Sequence, residues 1–273
     1  MVSGEEFRIC RHPAFEGLLY THPLPDQLDP YYESEEYLSH QDRPETFLGR
    51  LYRSARNWNI RWKLSLLKDY IPASASLLEV GCGQGDFLEA AGRVWEVTGV
   101  EPNAGARGRA RNKGLEVYAG LGDVPAGSRE GIVLWHVLEH IPDLEGTIVQ
   151  IRSLLRQGGY LFLALPNHQS GDAKFYGEYW AGYDVPRHVW HFTKEPVKQL
   201  FGAYGFEVVQ MKPMWLDAFY VSWLSEKYRG NRWAPFAGAY RGLVSNLSAL
   251  RTSQPSSLVY ILRYAGPSSQ QAK

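Results

Sequence analysis

The segment Leu77-Leu78-Glu79-Val80-Gly81-Cys82-Gly83-Gln84-Gly85-Asp86-Phe87-Leu88 constrains this chain more than any other. A short apolar run enters three glycines at alternate positions, and an amphipathic helical pattern follows. The next apolar run, Val97-Thr98-Gly99-Val100, ends on an acid, Glu101. Strand, glycine turn, helix, strand, acid is the layout of a nucleoside-binding α/β unit. The glycines let the backbone turn tightly and let a ligand lie against main chain. A carboxylate about 20 residues past the first glycine can accept from both hydroxyls of a ribose. The spacing Gly81-x-Gly83-x-Gly85 differs from the dinucleotide pattern G-x-G-x-x-G, and no arginine or lysine is placed to hold a pyrophosphate. A nucleoside without phosphates suits this turn better.

Strands and helices alternate after the turn. The strand candidates are Ser76–Val80, Glu96–Val100, Glu116–Ala119, Gly131–His136, Tyr160–Leu165, Glu207–Lys212 and Leu258–Tyr264. Helical spacing recurs over Asp86–Val94, Ala104–Lys113, Leu144–Leu155 and Pro196–Tyr204, and earlier over Phe47–Tyr70. Such alternation predicts an α/β fold with a mostly parallel sheet and helices on both faces. Gly158-Gly159 is expected to form a sharp helix-to-strand turn. Residues 1–46, with Pro13, Pro23, Pro25, Pro30 and Pro44, read as an N-terminal arm with little periodicity. A short helix opens at Asp29-Pro30 and carries the cluster Tyr31–Leu38, so the arm serves packing or acts as a lid. The domain proper spans 47–266, and a polar tail spans 267–273. Within it, 213–257 is an aromatic helical insertion before the last strand. It packs on the sheet edge, walls a substrate pocket or forms a homodimer contact.

Lys+Arg and Asp+Glu both number 29, so the net charge is zero. A domain built for nucleic acid usually carries a basic surplus, which argues against that partner. Arg107, Arg109, Arg111 and Lys113 read as a solvated helix face. The two cysteines, Cys10 and Cys82, have no near partners, which leaves no disulfide framework. No apolar run reaches the roughly 18 residues of a membrane span, and the first residues lack a secretory pattern. A cytoplasmic protein is expected.

Five segments in order carry a resemblance: Glu79–Gly85, Val100–Asn103, His136-Val137-Leu138-Glu139-His140-Ile141-Pro142-Asp143, Leu154–Tyr160 and Leu165-Pro166-Asn167. Together they resemble the class I S-adenosylmethionine-dependent methyltransferases over residues 47–212. The segment Asp184–Thr193 is similar to a bacterial small-molecule subgroup. The resemblance implies a Rossmann-like seven-stranded, mostly parallel sheet and S-adenosyl-L-methionine as cofactor. It implies that Glu79, Gly81 and Gly83 line the methionine part, in a cofactor-binding turn that includes Cys82 and Gly85, and that Glu101 takes the ribose. Pro102, Asn103, Leu121 and Asp123 would border the adenine, and His136 and Val137 would close the pocket. Where relatives often carry Phe-Asp before the fourth strand, this chain has Arg129-Glu130-Gly131: Glu130 replaces the aspartate or the loop is rebuilt. Relatives can also carry a cysteine-rich metal knuckle in the arm. Cys10 stands alone here, so no metal is expected there.

A methyl acceptor with a proton to lose needs a base. The expected group is His188 or His191, with Asp184 and Arg187 beside them, or else these histidines anchor their loop. His136, Glu139 and His140 share the spacing of one helical face and with His188 could hold a divalent metal. The pattern is common in metal-free relatives, and no metal is assigned. The expected activity is methyl transfer to a small-molecule acceptor. The alternatives are an RNA methyltransferase and a catalytically silent S-adenosylmethionine-binding interaction protein.

Overall fold

The computed structural model describes residues 5–25, 27–32, 47–125, 127 and 129–266. Most of the Tyr31–Leu38 cluster and the tail 267–273 lie outside the described residues. The strands are β1 (Arg8–Arg11), β2 (Leu19–His22), β3 (Ser76–Val80), β4 (Glu96–Val100), β5 (Val117–Tyr118), β6 (Arg129–Trp135), β7 (Leu155–Pro166), β8 (Trp190–His191), β9 (Phe206–Pro213) and β10 (Ser257–Tyr264). Seven of them form one sheet in the order β5-β4-β3-β6-β7-β10-β9, and β1, β2 and β8 form a second. The chain divides into two compact units. One comprises Met1–Glu6, Pro25–Val133 and Leu154–Tyr160; the other comprises Phe7–Leu24, Leu134–Ser153 and Leu161–Lys273.

In the first unit, β3 pairs with β4 in parallel, Ser76 opposite Glu96 through Val80 opposite Val100, and β4 pairs with β5. Leu77, Leu78 and Val80 are all buried, as befits a strand covered on both faces. Chain order reverses beside β3, with β4 on one side and β6 on the other. Ligands of open α/β sheets collect at such a switch, outside the carboxyl ends of the strands. Glu130 at the start of β6 accepts from the amide (2.9 Å) and hydroxyl (2.5 Å) of Ser76 at the start of β3. It therefore braces the amino ends of these strands. The helix Phe47–Lys68 buries Leu66 and Leu67, whereas Trp58 is half exposed. The predicted periodicity at Leu48, Leu51 and Tyr52 falls on side chains outside the described residues. The helix Leu144–Leu154 passes directly into β7, so Gly158-Gly159 lie inside a strand and not in a turn before it. Gly158 has φ +81°, and a Cβ on Gly159 would meet the carbonyl oxygens of Arg129 and Glu130 at 3.1 Å. Two glycines thus let the strand bend close to β6.

In the second unit, β1, β2 and β8 are antiparallel, with Leu19 opposite His191 and Tyr20 opposite Trp190. Part of the arm is therefore sheet. Its strands are too short for sequence alternation to reveal them, and the strand that β2 pairs with on its other side lies some 170 residues away. Asn167 fastens the end of β7 to the start of β10. Its Nδ2 donates to the Gln254 side chain and the Pro255 carbonyl, and its amide donates to the Ser256 carbonyl. β10 and β9 are antiparallel, with a register shift at Ile261/Leu262. The insertion before the last strand is two helices, Asp217–Tyr228 and Ala234–Thr252. The buried Asp172 carboxylate accepts from Trp180 Nε1 and from the hydroxyls of Ser245 and Ser256. Three donors offset its desolvation and tie the helix Gly171–Tyr176 to the long helix.

The two insertion helices touch through small residues. A Cβ on Gly238 would stand 2.5 Å from Trp223 Cα, and one on Gly242 would stand 2.8 Å from Phe219 Cα. Both obstacles are backbone and cannot swing aside. Gly238→Ala is expected to destabilise the chain by about 1–3 kcal/mol, seen as a melting temperature lowered by roughly 3–8 °C. An unchanged melting temperature would refute this packing.

Candidate active site

The β3–β4 register brings the glycine turn against the acid. The amides of Gly81 and Cys82 donate to the Val100 carbonyl at 2.7 and 3.0 Å. Glu101 follows Val100; its Oε2 accepts from the Gly83 amide (2.8 Å) and its Oε1 from the Asn103 amide (2.9 Å). Each carboxylate oxygen is thereby held in place and keeps a lone pair for another donor. Gly81, Gly83 and Gly85 have φ of +72°, +56° and +81°. Their surroundings differ. A Cβ on Gly83 would meet nothing within 4 Å, whereas one on Gly85 would meet Leu115 Cδ1 at 2.4 Å and Ala110 Cβ at 3.2 Å. Gly83 therefore borders open space, and Gly85 is required by close packing against Leu115 and Ala110. Cys82 points inward to Leu88, Ala110 and Val117, and burial pushes its thiol up to about 12, so it offers a ligand only backbone.

Glu79 is buried, and its Oε2 has no hydrogen-bond partner. Burial raises its carboxyl pKa to about 8, opposed by the charge of Lys63 and reinforced by Glu101. An orphaned acidic oxygen at a turn with an uncovered glycine fits a ligand carrying a fixed positive charge. Asn103 caps the helix Ala104–Asn112, its Oδ1 accepting from the Ala106 amide, and Pro102 beside it is exposed. Leu121–Asp123 form one 3₁₀ turn, closed by Asp123 accepting from the Gly120 amide.

The second unit gathers the other candidates. His136 follows β6 with φ +57°, a left-handed conformation that is uncommon for a side-chain-bearing residue. Its Nε2 lies 2.9 Å from Asp217 Oδ2 and its Nδ1 lies 3.3 Å from Glu139 Oε1. Burial opposes its charging, yet these two carboxylates outweigh burial and raise its pKa to about 9. His136 is thus an imidazolium at neutral pH, with both N–H groups committed. Burial also opposes ionisation of Glu139, but the His136 bond prevails and its pKa is lowered. Glu139 Oε2 is buried without a partner.

His140 donates Nδ1–H to the Arg187 carbonyl (3.1 Å), and His188 donates Nδ1–H to the Gly182 carbonyl (2.9 Å). A carbonyl can only accept, so in each neutral ring Nε2 bears the lone pair. Burial, then the neighbouring His188, lowers the His140 pKa to about 4. One ligand atom from each of Glu139, His140 and His188 falls within 4.8 Å of the others. Acceptors that converge in this way can take a hydrogen-bond donor or a small cation. His136, the remaining member of the sequence constellation, is committed to Asp217 and Glu139. Asp184, at φ +39°, pairs with Arg187 at 2.5 Å and lies 3.8 Å from His188 Nε2.

His191 is buried, and its pKa is held well below 6.5 by burial. The Thr21 hydroxyl donates to the His188 carbonyl (2.6 Å), so His191 Nε2 donates to Thr21 Oγ1 (3.0 Å). That ring anchors β8 to β2. Sequence reasoning missed Asp217 and Thr21. Each meets its partner across 81 or more residues, and no local pattern marks either.

The folded chain raises the His136 pKa from 6.5 to about 9, so its contribution to stability is complete below about pH 6.5 and is lost as pH rises through about 9. Thermal unfolding should show stability falling between pH 6.5 and 9.5. His136→Gln should remove that slope, and an identical slope in the variant would exclude His136 as its source.

The family model described as a methyltransferase domain (Methyltransf_23) matches residues 47–211. A ubiquinone biosynthesis O-methyltransferase from Xanthomonas axonopodis pv. citri (strain 306) is 35% identical over 107 residues, covering 35% of this chain and 45% of that protein. The chain thus spans less than half the length of that relative. Phosphoethanolamine N-methyltransferase 2 of Haemonchus contortus was solved with phosphomonomethylethanolamine and S-adenosylhomocysteine. It superposes with a TM-score of 0.57 at 15% identity, covering 91% of this chain and 63% of that one. The cyclopropane synthase MmaA2 from Mycobacterium tuberculosis superposes with a TM-score of 0.54 at 14% identity, covering 82% and 88%. At such identities the likeness is one of fold. With the family match spanning the glycine turn, Glu101 and the His136–His140 segment, the chain belongs to the methyltransferase-domain family.

Proposed function

We propose that this chain binds S-adenosyl-L-methionine at the turns after β3 and β4 and methylates a small molecule bearing a hydroxyl. The observation that carries the reading is the turn itself. It joins an unpartnered buried carboxylate oxygen on Glu79 to open space beside left-handed Gly83. Glu101 would accept the ribose hydroxyls, Gly81 and Gly83 would lie under the methionine part, and Glu79 would face its ammonium. Pro102, Asn103, Leu121 and Asp123 would flank the adenine. When bound, S-adenosylmethionine supplies a methyl group already activated by a sulfonium.

The protein's task is then to orient the acceptor and take its proton; orientation supplies about 7–11 kcal/mol in favourable cases. His188 is the proposed base. Its Nδ1–H is spent on Gly182, its Nε2 bears the lone pair, and Asp184 stands where it would stabilise the imidazolium formed. His191 and Arg187 support the loop that carries it. The converging acceptors of Glu139, His140 and His188 favour an acceptor molecule that donates a hydrogen bond. The O-methyltransferase relative points the same way.

Two variants separate binding from chemistry. Glu101→Gln should weaken S-adenosylmethionine binding by about 10- to 100-fold, the loss of a charge-assisted hydrogen bond. His188→Gln should leave that binding intact and lower turnover by about 100-fold or more. Titration calorimetry with no heat for the unmodified chain would overturn the cofactor reading, and unchanged turnover in His188→Gln would remove the base. Glu79 gives a further test. Because its carboxyl is largely protonated at pH 7, binding a cation should expel a proton, and affinity should rise from pH 6 to about 8. Glu79→Gln should flatten that rise, and equal pH profiles would remove Glu79 from the site.

A further inference from the structure

The long helix Ala234–Thr252 has two apolar faces, and its fold uses one. Ala234, Gly238, Gly242, Ser245 and Ala249 are buried, with Gly238 and Gly242 against the helix Asp217–Tyr228. The opposite face carries Phe236, Tyr240, Leu243, Leu247 and Leu250, spaced four, three, four and three apart along about 21 Å of helix. These side chains are between 50% and 72% exposed, and Trp233 at the head of the helix is 70% exposed. A continuous apolar seam left in water is costly, and such seams mark docking surfaces.

The exposed charge in the stretch of chain that carries the seam has one sign. From Ala218 to Leu258 the sole acid is Glu226, which is buried and bonded to Tyr176 and Asn231. The same stretch carries Lys227, Arg229, Arg232, Arg241 and Arg251, in a chain whose net charge is zero. All of these but Arg241 are exposed. Flanking the seam, a cavity of about 520 Å³ is lined by Arg229, Arg241, Tyr240, Phe175, Asn231 and Glu226. The Arg241 guanidinium lies 3.7 Å from the Phe175 ring centre. Two guanidiniums beside an aromatic from the seam itself suit a phosphate-bearing headgroup. No helix among the described residues is long and apolar enough to cross a membrane.

We propose that this face is a docking surface for an anionic phospholipid bilayer, with the helix Ala234–Thr252 lying in the plane of the headgroups. Aromatic and leucine side chains on one stripe with basic groups beside it are the pattern of an interfacial helix. A second copy of the chain is a poorer occupant. Self-pairing would bring Arg232 and Arg251 against like charges. The seam also supplies five or six side chains, where a stable dimer uses about 20–30 residues a side.

Sedimentation of the full chain with vesicles of phosphatidylcholine, with and without phosphatidylglycerol, tests this. Binding is expected to the anionic vesicles only and to weaken with added salt. Leu243→Ser/Leu247→Ser/Leu250→Ser should abolish it, and Arg232→Glu/Arg251→Glu should lower it by roughly tenfold. Both variants alter exposed residues that are not among those proposed to hold the cofactor, so their melting temperatures and S-adenosylmethionine binding should match the unmodified chain. Failure to bind anionic vesicles, or binding indifferent to headgroup charge, overturns the proposal. Light scattering that shows a dimer split by the leucine substitutions, without vesicle binding, assigns the seam to a second copy and overturns it as well.

Discussion

The parallel register of β3 against β4 governs the crevice of this protein. Val80 stands opposite Val100, so the residues that follow, Gly81 and Glu101, leave the sheet side by side. The Val100 carbonyl then receives two amides from the glycine turn, and the Glu101 carboxylate closes the loop by accepting from Gly83. A slip of one residue would turn every β3 side chain to the other face and would part the acid from the turn. The turn is therefore held by backbone and by one carboxylate fixed at both oxygens. For the proposed cofactor, preorganisation of this kind would spare the cost of ordering the site.

The second unit shows one residue type taking distinct electrostatic states through its neighbours. His136 lies between two carboxylates and is charged. His140 and His188 each direct Nδ1 at a carbonyl, which leaves the lone pair of the neutral ring on Nε2. His191 donates to a threonine whose own proton is already spent. Ring chemistry is the same in all four, and their hydrogen-bond partners alone set them apart. The loop holding these groups is fixed from two sides, since Thr21 donates its amide to the Val189 carbonyl and Val189 donates its own to the Glu139 carbonyl.

Much of the first unit was legible because its signals are local. An apolar run of five residues, a turn that needs left-handed backbone and a helix pattern directly after it specify β3, the crevice and its acid within about 25 residues. Position in the sequence did not separate the three glycines. Gly83 faces open space and Gly85 faces Leu115, a difference that depends on the helix and strand that follow. Cys82 lies in the turn by position but in the core by orientation. Glu130, read from the sequence as replacing an aspartate of the relatives or as part of a rebuilt loop, holds Ser76 at the amino end of the strands. The pairing of β2 with β8 and the contact of His136 with Asp217 were illegible for the same reason: the partners are distant in sequence and of ordinary type.

The sequence by itself determined the alternation of strand and helix, the glycine turn, the acid that answers it and the family to which they belong. Each depends on residues close enough along the chain to constrain one another through backbone geometry alone. Tertiary structure decided which histidine is charged, which offers a lone pair and which merely anchors. It also decided which face of the insertion helix is buried through Gly238 and Gly242 and which is left in water. Those outcomes depend on desolvation and on contacts between segments far apart in the chain, and burial and hydrogen-bond partnership exist only once the chain has folded.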